Sequence, residues 1–243
     1  MMSWPYPFWF AHRGAGKLAP ENTLAAFRVG ASHGFRAFEC DVKLSADGVP
    51  FLLHDSTLER TTSGSGSAAS LTWDELTRLD AGSWHGEPFA GEPIPSFEAV
   101  AKYCIAGGYA LNVEIKPVPG MEAETGRVVA AAAAKWWTNE PMPPLLSSFQ
   151  PSALAAARVA APHLPRALLL DALRPKWIEE ALALGCDAIV AQHHLLGGPQ
   201  IHSIHKAGLR ALCYTVNEAD ESERLRVSGI DGLITDAVDR LGA

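Results

Sequence analysis

The chain has 243 residues, 48% hydrophobic and 19% charged, which supports a generous core and suits a (β/α)8 barrel of about 250 residues. A net charge of −7, with Lys and Arg scattered singly, argues against a nucleic-acid partner bound through a basic stripe. No window approaches the roughly 20 consecutive apolar residues of a membrane span, and the N-terminal MMSWPYPFWFAHRG lacks the basic start of a secretory leader. Cys40, Cys104, Cys186 and Cys213 lie far apart among apolar neighbours and match no zinc or redox spacing. They read as buried reduced thiols of a cytoplasmic protein.

In chain order, strand-like apolar runs are expected at 7–12, 37–43, 49–54, 109–116 and 144–149, then at 166–170, 186–191, 209–215 and 231–235. Helical patterns fill the gaps at 21–34, 96–108, 122–137, 151–161, 174–185, 199–208 and 218–229, several of them followed by Gly. Strand–helix alternation at this spacing implies right-handed βαβ units around a parallel sheet. The expected fold is α/β, a (β/α)8 TIM barrel forming one domain over 1–243; a doubly wound open sheet is the alternative on pattern alone. Residues 55–95 break the rhythm, being rich in Gly, Ser, Pro and Thr with one short helix candidate, TWDELTRLD. A long irregular insertion of this kind is usually functional. It follows His54 directly and is placed at the C-terminal face of the barrel, with Trp73, Leu76 and Leu79 pinning it there.

The chemistry collects at the ends of these strands. Residues i and i+2 of a strand share a face, so Glu39 and Asp41 point together, as do Asn112, Glu114 and Lys116. FWFAH ends on His12 and PFLLH on His54. Four strands therefore end in polar groups where parallel α/β folds place their sites. Three close carboxylates, Glu39, Asp41 and Glu114, require a counter-charge, and oxygen ligands suit a hard divalent cation, Mg²⁺ or Ca²⁺. With that cation, Arg13 and Lys116 leave the pocket net positive, fit for a phosphodiester anion. His12 and His54 supply one base and one acid near neutral pH.

The combination of HRG (12–14), PENT (20–23), FECDV (38–42), LLHD (52–55), LERTT (58–62) and VEIKP (113–117) resembles the glycerophosphodiester phosphodiesterase family. GEPIPSFEAV (91–100), YTVN (214–217) and DGLITD (231–236) extend the resemblance from about residue 8 to the end. It implies catalytic roles for His12 and His54, metal ligation by Glu39, Asp41 and Glu114, and phosphate contacts by Arg13 and Lys116. It further implies a small-molecule substrate, a glycerophosphodiester, cleaved to sn-glycerol 3-phosphate and an alcohol. The glycerol hydroxyl would attack phosphorus to give a cyclic phosphate that water opens. Tyr214, where the family often has Trp, and Ala237, where it usually has Pro, depart from the pattern and bear on the alcohol pocket.

Several features carry blander readings. Asn22 and Thr23 suit the start of the first helix, and Lys116 could simply neutralise Glu114. Phe149 and Tyr214 suit core packing as well as an alcohol pocket. GAGK (14–17) lacks the spacing of a phosphate loop. His202 and His205 read as a solvated helix face, while His85 in the insertion is a candidate cover for the substrate; His193 and His194 could reach the mouth. Two further activities fit the residues. One is a lysophospholipase-D-type phosphodiesterase on lipid substrates; the other is a catalytically silent phosphodiester-binding barrel. Nothing in the sequence indicates stable membrane insertion or specifies an oligomeric state.

Overall fold

The computed structural model describes residues 4–242. In chain order it runs β1 (Trp9–Ala11), α1 (Leu24–Ser32), β2 (Ala37–Leu44), β3 (Pro50–Leu52), α2 (Trp73–Leu76), α3 (Phe97–Gly107), β4 (Ala110–Ile115) and α4 (Glu122–Trp136). It continues with β5 (Leu145–Ser148), α5 (Pro151–Ala160), β6 (Arg166–Leu170), α6 (Trp177–Ala183), β7 (Ala188–Gln192), α7 (Gly198–Lys206), β8 (Arg210–Tyr214), α8 (Ala219–Val227) and β9 (Gly232–Thr235).

Eight of the strands pair in parallel in the order β1-β9-β8-β7-β6-β5-β4-β2, and β2 closes the ring on β1 through Ala11 and Phe38. The fold is the expected (β/α)8 barrel. β3 is antiparallel and lies on the β1 side of β2, since Val42 pairs with Leu52 on one edge and Ile115 of β4 on the other. β2 needs its eight residues to hold both partners, and all eight are buried.

Alternation along the strands divides the core in two. Phe10, Leu145, Leu169, Val190, Leu212 and Ile234 pack into a cluster that fills the barrel from within. The opposite faces, such as Phe38, Cys40 and Val42 of β2 with Leu111, Val113 and Ile115 of β4, pack against α1, α3 and α4. Burying each such Leu, Ile or Phe contributes about 2 kcal/mol. The helix entries follow from local chemistry. Thr23 accepts a hydrogen bond from the Ala26 amide at the start of α1, and Ser96 one from Ala99 at the start of α3. Gly108 closes α3 with φ of 62°.

Residues 55–95 wrap over the β2–β3 side of the barrel. Leu58, Ala68, Leu76, Ala81 and Ile94 pack with Phe51 and Leu53, and Trp73 and Leu79 join them, so the expected anchors do hold the insertion. The expected helix TWDELTRLD shrinks to a single turn, α2. Thr72 and Glu75 form a capping box at its start. Beyond it the Asp80 carboxylate accepts from the amides of Gly82, Ser83 and Gly91 at 2.7, 2.8 and 2.9 Å, which bends the chain into a turn instead.

Candidate active site

Every strand end singled out by the sequence meets at one mouth of the barrel. His12, Arg13 and Gly14 form a single tight turn directly after β1, with Arg13 at φ 51° and Gly14 at φ 99°. The turn built on that left-handed pair leaves the side chains of His12 and Arg13 bordering the opening. His12, Arg13, Glu39, His54, Glu114 and Lys116 border a cavity of about 150 Å³ sunk into the barrel. It adjoins a wider pocket of about 510 Å³ shared by His54, Glu114 and Lys116 with Ser56 and Thr57 of the insertion.

Each imidazole is anchored through Nδ1. His12 Nδ1 lies 2.6 Å from Asp236 Oδ1 and His54 Nδ1 lies 2.7 Å from Asp55 Oδ1. Hydrogen bonds from His12 and Asn217 outweigh burial and lower the pKa of Asp236; the Arg60 hydrogen bond foremost, then His54, lowers that of Asp55. An ionised carboxylate only accepts, so both Nδ1 atoms carry hydrogen and both Nε2 atoms are left for other chemistry. His12 Nε2 stands 3.8 Å from Glu39 Oε2. Burial would lower the pKa of His12, but the Asp236 and Glu39 carboxylates reverse this and raise it. Burial, with Arg13 and Lys116 nearby, lowers that of His54 against the pull of Asp41 and Asp55.

Glu39, Asp41 and Glu114 are buried, with one oxygen of each within 4.8 Å of the others, the single such acidic or metal-binding group among the described residues. Burial, reinforced by Asp41, pushes Glu39 up to about 7 and Glu114 up to about 8. Asp41 is held well below the usual carboxylate range because Lys116 and Arg13 outweigh its burial. A buried trio that offers only hard oxygen donors, and of which two members resist ionising, fits a divalent cation. Lys116 Nζ sits 3.1 Å from Asp41 Oδ1 and 2.8 Å from Glu114 Oε1, so it neutralises the acids as well as bordering the cavity. Arg13 places Nε 3.4 Å from Asp41 Oδ2 and donates Nη1 to Glu21 Oε1 at 2.8 Å, while its amide donates to Glu39 at 3.0 Å.

Sequence reasoning missed the residues that hold these groups in place. Asn22 takes no part in the helix start expected of it; Thr23 plays that role alone. Asn22, at φ 59°, donates Nδ2 to Asp41 at 2.8 Å and accepts from the Asp41 amide at 3.1 Å. Glu21, Asp55, Arg60 and Asp236 lie within PENT, LLHD, LERTT and DGLITD, where local sequence gives them no role of their own. Lys43 shares the interior face of β2 with Glu39 and Asp41; burial foremost, then Lys116, lowers its pKa to about 8. It donates to the Lys116 carbonyl at 3.4 Å. The remaining histidines stand apart. His85 meets the Lys17 carbonyl at 3.0 Å, His193 meets Glu221 at 2.6 Å and His205 meets Asp231 at 2.7 Å.

The model of the glycerophosphoryl diester phosphodiesterase family matches residues 12–240. The chain belongs to the glycerophosphodiester phosphodiesterase family. As a glycerophosphodiester phosphodiesterase it is a phosphoric diester hydrolase. It is 35% identical over 239 residues to YhdW of Bacillus subtilis, covering 94% of each chain. It is 33% identical over 231 residues to a glycerophosphodiester phosphodiesterase of Caldanaerobacter subterraneus subsp. tengcongensis, covering 93% of this chain and 92% of the other. Its fold superposes on an Oleispira antarctica phosphodiesterase in complex with the product sn-glycerol 3-phosphate, with TM-score 0.90 and 33% identity over 97% of this chain and 95% of that one. No helix among the described residues is long and apolar enough to cross a membrane.

Proposed function

We propose that this phosphodiesterase hydrolyses a small-molecule glycerophosphodiester to sn-glycerol 3-phosphate and the free alcohol, with His12 and His54 moving the protons and a divalent cation held by Glu39, Asp41 and Glu114. The observation that carries this reading is two carboxylate-anchored imidazoles at the same mouth as a buried trio of carboxylates. The product held by the Oleispira antarctica relative supports the same product here. A cation at the trio would be Mg²⁺ or Ca²⁺, and would supply Lewis-acid stabilisation of charge building on the phosphoryl oxygens.

His54, kept neutral by its lowered pKa, accepts the proton of the glycerol hydroxyl beside the phosphate as that oxygen attacks phosphorus. The bond from phosphorus to the alcohol oxygen breaks, and His12 donates the proton that oxygen needs. In the second half the roles reverse: His12 takes a proton from water, and His54 returns one to the glycerol oxygen as the cyclic phosphate opens. Arg13, braced by Glu21 and Asp41, stabilises the five-coordinate phosphorus, and Lys116 adds positive charge at the rim. The four buried, unpaired thiols favour a cytoplasmic setting. We read the chain as one catalytic domain, with residues 55–95 covering its site.

Coupled detection of sn-glycerol 3-phosphate released from glycerophosphocholine and glycerophosphoethanolamine tests the reading. EDTA should abolish release, and Mg²⁺ or Ca²⁺ should restore it. His12→Ala and His54→Ala should each lose most turnover while melting as the parent does. Chelator-resistant turnover, or normal rates in both variants, would remove the assignment.

A further inference from the structure

Beside the acidic trio, with Asn112 in register with Glu39, the cavity carries a polar pair that the mechanism above does not use. Asn112, 1% exposed, lies on the interior face of β4 one step beneath Glu114; Ser147, 0% exposed, lies on β5 in register with Glu114. Both border the cavity with His12 and Glu39. Among the described residues neither amide atom of Asn112 nor the Ser147 hydroxyl has a hydrogen-bond partner. Buried polar groups are ordinarily paired, and an orphan is costly. The next residue makes the contrast: Ser148, on the outer face of the same strand, donates to the Ile115 carbonyl at 2.6 Å. Leu169 and Ile234, which line the same cavity, are apolar and offer the pair no partner.

We propose that Asn112 and Ser147 form a seat for the hydroxyl groups at the glycerol end of the substrate; the proposal rests on the functional reading above. The donor and acceptor pattern fits. An amide presents both a donor and an acceptor, a serine hydroxyl presents both, and the hydroxyls of glycerol are themselves both. A quaternary ammonium or an alkyl chain would leave all three atoms unpaired. The seat therefore fixes the direction of the substrate: glycerol enters the small cavity, and the leaving alcohol remains toward the wide outer pocket. Selection is strict for the glycerol end and loose for the alcohol, because a site built to hydrogen-bond a hydroxyl rejects the analogue lacking it.

Calorimetric titration of Asn112→Leu and Ser147→Ala with sn-glycerol 3-phosphate and, separately, with inorganic phosphate tests the seat. Affinity for sn-glycerol 3-phosphate should fall at least about tenfold in Asn112→Leu and several-fold in Ser147→Ala. Affinity for inorganic phosphate should change less than about twofold. Turnover supplies the second readout. The parent should prefer glycerophosphocholine over 2-hydroxypropyl phosphocholine, which keeps the attacking hydroxyl and lacks the terminal one, and both variants should lose that preference. Equal losses for the two anions, or preferences unchanged in Ser147→Ala, overturn the seat even if Asn112→Leu does not fold. A parent enzyme that turns over neither diester overturns the functional reading instead, which separates the two failures.

Discussion

Arg60 grips Asp55 with two parallel hydrogen bonds, Nε to Oδ2 at 2.6 Å and Nη2 to Oδ1 at 3.1 Å. Its other edge holds Glu21 in the same manner, with both contacts at 2.7 Å. Asp55 holds His54 and Glu21 holds Arg13, so one guanidinium from the insertion ties together two groups of the candidate site. Arg60→Ala should lower kcat about 10- to 100-fold, in the range seen when supports of a site are removed. Arg60→Lys should rescue little, because an ammonium cannot make two forked contacts. Steady-state kinetics with a melting curve for each variant decides it; parental kcat in Arg60→Ala would detach the insertion from catalysis.

The acidic limb of kcat/KM should report His54. A base must be neutral, and burial holds this imidazole below its ordinary 6.5, so the limb should have its midpoint under 6.5. Asp55→Asn removes a carboxylate that raises the His54 pKa, and the limb should therefore move further toward acid while kcat drops. A limb that stays in place or moves toward neutrality would assign it to another group.

Cation binding should depend on pH through Glu39 and Glu114. Their folded pKa values of about 7 and about 8 lie above the ordinary 4.5, so their contribution to stability is complete below about 4.5. It is lost progressively from about 4.5, where the unfolded chain releases both protons, up to about 7 and 8, where the folded chain releases them. In EDTA the protein should lose on the order of a few kcal/mol across that window. Mg²⁺ or Ca²⁺ competes with the same two protons, so the rise in Tm on adding the metal should grow between pH 6 and 8.5. A metal-induced rise independent of pH would argue that these carboxylates are not its ligands.

Gly16 has φ of 56°, and a Cβ there would fall 2.1 Å from the Asp236 carbonyl oxygen. Gly16→Ala must displace the backbone that carries the partner of His12. We expect a loss of about 3 kcal/mol or more in stability, with a fall in kcat beyond any change in KM. Circular-dichroism melts alongside kinetics would show this; an unperturbed variant would mean that Asp236 tolerates the shift.

The barrel and the strand-borne site were legible in the sequence because both are periodic. Alternation by two assigns Glu39 with Asp41, and Asn112 with Glu114, to one face, and the strand–helix rhythm assigns that face to the inside. What supports the site is not periodic. Asp236 meets His12 across 224 residues, and Arg60 meets Glu21 across 39, at distances along the chain that no local pattern encodes. Asn22 misled for the opposite reason. It stands where a helix cap is expected, but Thr23 caps the helix and leaves the Asn22 amide free to fix Asp41. The shortened α2 has the same origin, since Asp80 is claimed by amides on both sides of the turn it makes.

The apolar stack of Phe10, Leu145, Leu169, Val190, Leu212 and Ile234 makes the barrel a cup rather than a tube. Whatever enters at the rim must also leave there, so the two products depart in sequence, the one nearer the opening first. For the reaction proposed above, such traffic would make the alcohol a weak inhibitor and the phosphorylated product, last to leave, a competitor of fresh substrate.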